Sequence, residues 1–142
     1  MTNKALRILI ADEQHFQRMK IERLFNQLGY YRVAPVQHLE ELLTLVEYGC
    51  EPFDLVVINA AMAAGSLDLR GFLLDNPQVR NALVFNDTLA QFAPMSISGQ
   101  KTIQVSTAVL PDLKGIQRLM STVDPLVRAN DDLTMRYQQK MG

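Results

Sequence analysis

A single cysteine, Cys50, in a chain of 142 residues excludes an intrachain disulfide and any fold stapled by cross-links. Such sparing use fits a reducing compartment. Long apolar runs are also missing: none approaches the roughly 18 residues of a membrane-spanning helix. A net charge of −1 and a pI near 6.1 leave no basic footprint for nucleic acid. There is no Gly-x-Ser-x-Gly elbow and no P-loop lysine, so the common hydrolase and nucleotide-binding motifs are absent. Repeats and low-complexity segments are absent as well. Met1-Thr2-Asn3-Lys4 leads straight into an apolar run, so no signal peptide is expected and the expected location is the cytoplasm. What remains is a hydrophobic content of 48%, ample for one domain with one core.

The apolar residues fall into short blocks. Leu55-Val56-Val57-Ile58 is continuous and β-branched, bounded by Gly49 and Pro52 before it and by an Ala-rich loop after Asn59. It reads as a central strand buried on both faces of a parallel sheet. Leu6 to Ala11 reads as a first strand, ended by Asp12-Glu13. A first helix should carry Ile21, Leu24, Phe25 and Leu28 on one face and stop at Gly29. Tyr31 to Ala34 reads as a second strand, placed at a sheet edge by Pro35. Leu39, Leu42, Leu43 and Val46 mark a second helix; Leu69, Phe72 and Leu73 mark a third. Ala82 to Phe85 reads as a fourth strand, and a short fourth helix is expected from Thr88. Thr102 to Val105 reads as the fifth strand. A fifth helix should start near Pro111-Asp112 and carry Leu113, Ile116, Met120 and Val123.

Strands alternating with helices predict an α/β fold, a doubly wound five-stranded parallel sheet of order 2-1-3-4-5 with helices on both faces. Asp124 can cap a new helix with Pro125 as its first residue. We therefore expect a domain over residues 1–123 and a helical extension or linker over 124–142. Leu119, Val123, Leu126, Asn130, Leu133 and Tyr137 have coiled-coil spacing that runs from the end of the domain into this extension, broken by Pro125.

In such sheets ligands sit outside the carboxyl ends of the first and third strands. Asp12, Glu13 and Asn59 are placed there. Arg7-Ile8-Leu9-Ile10-Ala11-Asp12-Glu13 and Asp54-Leu55-Val56-Val57-Ile58-Asn59-Ala60-Ala61-Met62 resemble the first strand with its acidic pair, and the third strand with its loop, of a receiver domain from a bacterial two-component response regulator. By element order the likeness covers about residues 6 to 123. It implies a cytoplasmic signalling domain whose position 59 would be an aspartate that accepts phosphate from a sensor kinase, with magnesium held by that aspartate and by Asp12 and Glu13.

The departures cluster in the chemistry. Position 59 is Asn, and Ala63 replaces the proline of the family's loop. The family's threonine or serine after strand four falls at Asn86 or Asp87, with Thr88 one or two residues late. Its lysine after strand five falls near Ala108 or Val109, where no lysine stands; Lys101 precedes that strand and Lys114 follows it. A neutral amide is a far poorer nucleophile than a carboxylate and yields no acyl phosphate. The resemblance therefore implies a degenerate, or pseudo-receiver, domain. It would lack enzymatic activity and any cofactor beyond weakly held magnesium at Asp12 and Glu13. It would act through protein partners: a sensor kinase, an effector domain or a second copy in a homodimer. The family's interaction face would comprise residues around Leu89 to Pro94, Thr102 to Ser106 and Pro111 to Met120. Phosphorylation at Asp87 or Asp54 is the alternative, as is a regulatory role in a longer response regulator. A flavin binder is disfavoured, because Asp12-Glu13-Gln14 would repel a phosphate.

Each of these residues also has a plainer role. Asp12 and Glu13 suit the start of a helix. Asn59 suits an Asx turn, Thr88 suits a helix cap, and His15 suits a solvated first turn. Cys50 is expected as a small apolar filler.

Overall fold

The computed structural model describes residues 2–63, 68–87, 96–98 and 101–127. Strands β1 (Ile8–Ala11), β2 (Val33–Val36), β3 (Leu55–Asn59), β4 (Asn81–Phe85), β5 (Ser96–Ser98) and β6 (Lys101–Val105) form one sheet. Helices α1 (His15–Gln27), α2 (Leu39–Tyr48), α3 (Leu69–Asp75) and α4 (Leu113–Val123) connect or follow them. A 3-10 turn covers Ala60–Ala63.

The sheet order is β2-β1-β3-β4-β6-β5. All pairings from β2 through β6 are parallel, so the five long strands lie in the predicted 2-1-3-4-5 order. The sixth, β5, was not legible as a strand: it is a Ser-Ile-Ser triplet that pairs antiparallel to β6. The expected fourth helix from Thr88 lies outside the described residues.

Alternation along the strands sorts the core into two halves. Ile8, Ile10, Leu55, Val57, Leu83 and Phe85 face Ile21 and Phe25 of α1 and Ile116, Leu119 and Met120 of α4. Leu9, Val56, Ile58, Ala82 and Val84 face Leu42 and Val46 of α2 and Leu73 of α3. Leu55 to Ile58 are fully buried, which is why that strand reads as an unbroken apolar run.

Local chemistry sets the boundaries. Gly29 ends α1 with φ +95, a left-handed conformation suited to glycine. Pro35 sits inside β2 rather than after it. The Arg32 and Val36 carbonyls accept from the Ile8 and Asp12 amides. Pro35, one residue out of phase, therefore turns its missing N–H to the open edge, and the strand continues past it. Asp68 and Asp112 accept from the Gly71 and Gly115 amides and so cap α3 and α4. Cys50, expected as an apolar filler, is exposed, because the chain leaves α2 on its solvent side.

A buried carboxylate fastens the amino-terminal end of the sheet. Asp124 is fully buried at the end of α4. One oxygen accepts from the Tyr30 hydroxyl at 2.6 Å and the Asn3 amide at 2.9 Å. The other accepts from the Leu126 amide at 3.0 Å, capping a helical turn at 125–127. The break expected at Asp124-Pro125 is thus present. The remaining seam positions Asn130, Leu133 and Tyr137 lie outside the described residues.

Burial, reinforced by the Asp124 hydrogen bond and charge, pushes the Tyr30 phenol well above its ordinary 10.0. The folded protein keeps a proton that the unfolded chain releases. This contribution is therefore complete below about pH 10 and is lost as pH rises beyond it. We expect wild-type stability to fall above about pH 10 by up to about 1.4 kcal/mol per pH unit more than that of Tyr30→Phe. At neutral pH the substitution should cost about 1–3 kcal/mol, because Asp124 loses a buried donor. Urea unfolding from neutral to alkaline pH tests both statements; parallel pH profiles would refute the first.

Candidate functional site

The carboxyl ends of β1, β3 and β4 bring Asp12, Asn59 and Asn86 together. Asp12 follows β1 directly and is 1% exposed. A charge so buried needs donors. One of its oxygens accepts from the Gln14 amide at 2.8 Å, and the other accepts from Asn59 Nδ2 at 3.0 Å. The Asn59 amide thereby has a fixed orientation: Nδ2 toward Asp12, Oδ1 away.

Asn59 Oδ1 accepts from the Ala61 amide at 2.9 Å, the expected Asx turn, and from Asn86 Nδ2 at 3.1 Å. Asn86 has φ 57, in the left-handed region that asparagine tolerates better than most residues. Its own amide donates to the Ala108 carbonyl at 2.7 Å. The pairing of Asn59 with Phe85 settles the register that the sequence left open: Asn86 is the residue after strand four that reaches position 59. Asp87 lies 3.7 Å from Arg70 of α3. Thr88 lies outside the described residues.

Arg18 was not foreseen. Its guanidinium is buried and donates to the Asp12 carbonyl at 2.6 Å, with a second nitrogen 3.3 Å from His15 Nδ1. The signal was present, since Arg18 shares the buried stripe of α1 with Ile21 and Phe25. A charged residue on an apolar stripe points to a buried polar partner. Arg18 sets a positive charge beside Asp12 from within the domain.

Other expected residues stand apart. Glu13 and His15 are exposed, so the acidic pair divides into one buried and one exposed member. Asp54 lies at the opposite end of β3, where it accepts from the Arg7 amide and from Arg80. Lys101 is also at that opposite end. Its ammonium donates to the Leu73, Leu74 and Asn76 carbonyls at 2.8–2.9 Å and closes the end of α3. Desolvation lowers its pKa, opposed by the nearby Asp75 charge.

Among the described residues no group of three or more His, Cys, Asp or Glu side chains is arranged to hold a metal. A cation could take Asp12 and Asn59 as oxygen ligands only by displacing the Asn59 amide from its bond to Asp12. Among those residues, too, no helix is long and apolar enough to cross a membrane. No family model, curated protein or solved structure matches the chain, so the reading of the site rests on its own geometry.

Asn59→Asp would remove the donor to Asp12 and set a second carboxylate about 3 Å from the first. Two carboxylates that close do not both ionise without a cation. We expect a loss of roughly 2–4 kcal/mol at neutral pH. The deficit should shrink in acid, where one proton can be shared, and on adding millimolar magnesium. Urea midpoints at about pH 5 and about pH 7.5, with and without magnesium, measure it. Equal neutral-pH stability of variant and wild type without magnesium would show that the Asn59–Asp12 bond does not hold the site together.

Proposed function

We propose that this chain is a receiver-like signalling domain of a bacterial two-component system that works without being phosphorylated, through protein–protein contacts in the cytoplasm. The observation that carries this reading is the bond from Asn59 Nδ2 to Asp12. Where a phosphoacceptor would present an anionic oxygen, this site presents a donor already committed to its neighbour. Phosphoryl transfer needs a nucleophile together with charge that stabilises the equatorial oxygens. Asn59 is not that nucleophile, and Lys101 is spent on the end of α3. Partners on this reading are a sensor kinase, an effector domain or a second copy. A place as the regulatory domain of a longer response regulator is equally compatible with it. Asp54 is a poor substitute acceptor, being at the far end of β3. Asp87 is nearer but stands beside Arg70.

The test is exposure to acetyl phosphate with magnesium, followed by intact mass. No phosphoryl adduct is expected on the wild type, nor rapid stoichiometric labelling of Asn59→Asp. A base-labile phosphoryl adduct on the wild type would overturn the reading, and peptide mapping would say whether Asp87 or Asp54 carries it.

A further inference from the structure

Two helices on opposite faces of the sheet expose apolar side chains amid charges of opposite sign. On α1 the buried stripe is Arg18, Ile21 and Phe25. The face half a turn away carries Phe16, 68% exposed, and Met19, 39% exposed, with Lys20 and Arg23 beside them. The Lys20 ammonium lies 4.6 Å from the centre of the Phe16 ring. On α2 the buried residues are Leu42 and Val46. Its outer face carries Tyr48, 79% exposed, and Leu45, 41% exposed. The charges of that helix are Glu40, Glu41 and Glu47, with no Lys or Arg among its residues. Glu22, the one acidic residue of α1, is half-buried and sits next to the buried stripe, four residues from Arg18. The outer faces thus differ in sign, basic on α1 and acidic on α2, each with an exposed aromatic and an unbranched or branched aliphatic neighbour.

We propose that the outer face of α1 on one copy docks against the outer face of α2 on a second copy. Phe16 and Met19 would meet Leu45 and Tyr48, with Lys20 and Arg23 against Glu41 and Glu47. Single exposed apolar residues need no partner. What selects this occupant is the complementarity: each face offers the charge that the other lacks, around a matching apolar centre. The two faces lie on opposite sides of the sheet, so one pair of copies cannot satisfy both contacts about a two-fold axis. The contact is heterologous, propagating copy to copy into short oligomers or a ring. Faces of about three helical turns are in the size range of weak, transient contacts. This inference does not depend on the receiver reading, and it uses a surface different from the one the family resemblance implies.

The test is sedimentation velocity on the full chain from micromolar to near-millimolar concentration, in about 0.05 M and about 0.5 M salt. Average mass should rise with concentration at low salt and fall back at high salt. Lys20→Glu/Arg23→Glu and Glu41→Lys/Glu47→Lys should each weaken association by at least roughly tenfold. The quadruple variant, with the charges exchanged between the faces, should regain it. All four side chains are exposed, so unchanged circular dichroism and urea midpoints are expected and separate loss of docking from loss of fold. A wild type that stays monomeric throughout overturns the proposal. So does an effect of one double variant without the other, which would mean that the sensitive face meets something else, the chain's own carboxyl-terminal residues included. A quadruple variant that fails to regain association overturns it as well.

Discussion

The arrangement at the carboxyl end of the sheet depends on one buried carboxylate. Asp12 is removed from water by the strands and helices around it, and an ionised group there is tolerated only with donors in place. The chain meets that demand with the Gln14 amide and the Asn59 side chain. The rest follows in sequence. Orienting Asn59 toward Asp12 leaves its oxygen facing the β3–3-10 turn, where the Ala61 amide and Asn86 complete it. Asn86 must then leave β4 in a left-handed conformation, and the Ala108 carbonyl takes its amide. A single charge thereby fixes three strand ends and the loop after β6.

On the proposed receiver-like reading, the same constraint gives physical sense to departures from the family that look unconnected along the chain. An aspartate at position 59 beside Asp12 would demand a cation, and an amide removes the demand. On that reading, one carboxylate in the network instead of the family's two leaves no charge for a lysine in the loop after β6 to balance. Arg18 already stands beside Asp12. Ala108 and Val109 can occupy that loop because its backbone, through the Ala108 carbonyl, does the structural work.

The parallel sheet, its strand order and the two-sided core were legible, because buried strands and amphipathic helices differ in period and in β-branching. Leu55 to Ile58 could hardly be anything but a central strand. Three features escaped. Ser96–Ser98 is too short and polar to carry a period, and it owes its strand geometry to β6 beside it. Pro35 sits within β2 because only alternate residues of an edge strand need an inward N–H. Cys50 is exposed because a turn, not a residue preference, decides where it points. At the site, Asp12 and Asn59 were placed correctly by topology alone. The division between buried Asp12 and exposed Glu13, and the choice of Asn86 over Asp87, depended on side-chain direction at strand ends. A one-residue change of register reverses that direction. Arg18, six residues from Asp12, was legible as a charge on the apolar stripe of α1, whereas Tyr30 and Asp124 are far apart in the chain and only the tertiary fold joins them.

Asp124 repeats the logic of Asp12 at the other end of the strands. It too is a buried carboxylate held by uncharged donors, from Tyr30, Asn3 and Leu126. A switch needs two states that a ligand or a modification stabilises unequally. Both polar clusters satisfy their carboxylates internally, with donors supplied by the chain. A second state would have to break those bonds. The fold is thus pinned at both ends of its sheet by bonds between the chain's own groups. Because Asp124 also caps the turn beginning at Pro125, the same carboxylate sets the direction in which the chain leaves α4. On the proposed reading, regulation comes through the surfaces, where α1 and α2 expose apolar side chains.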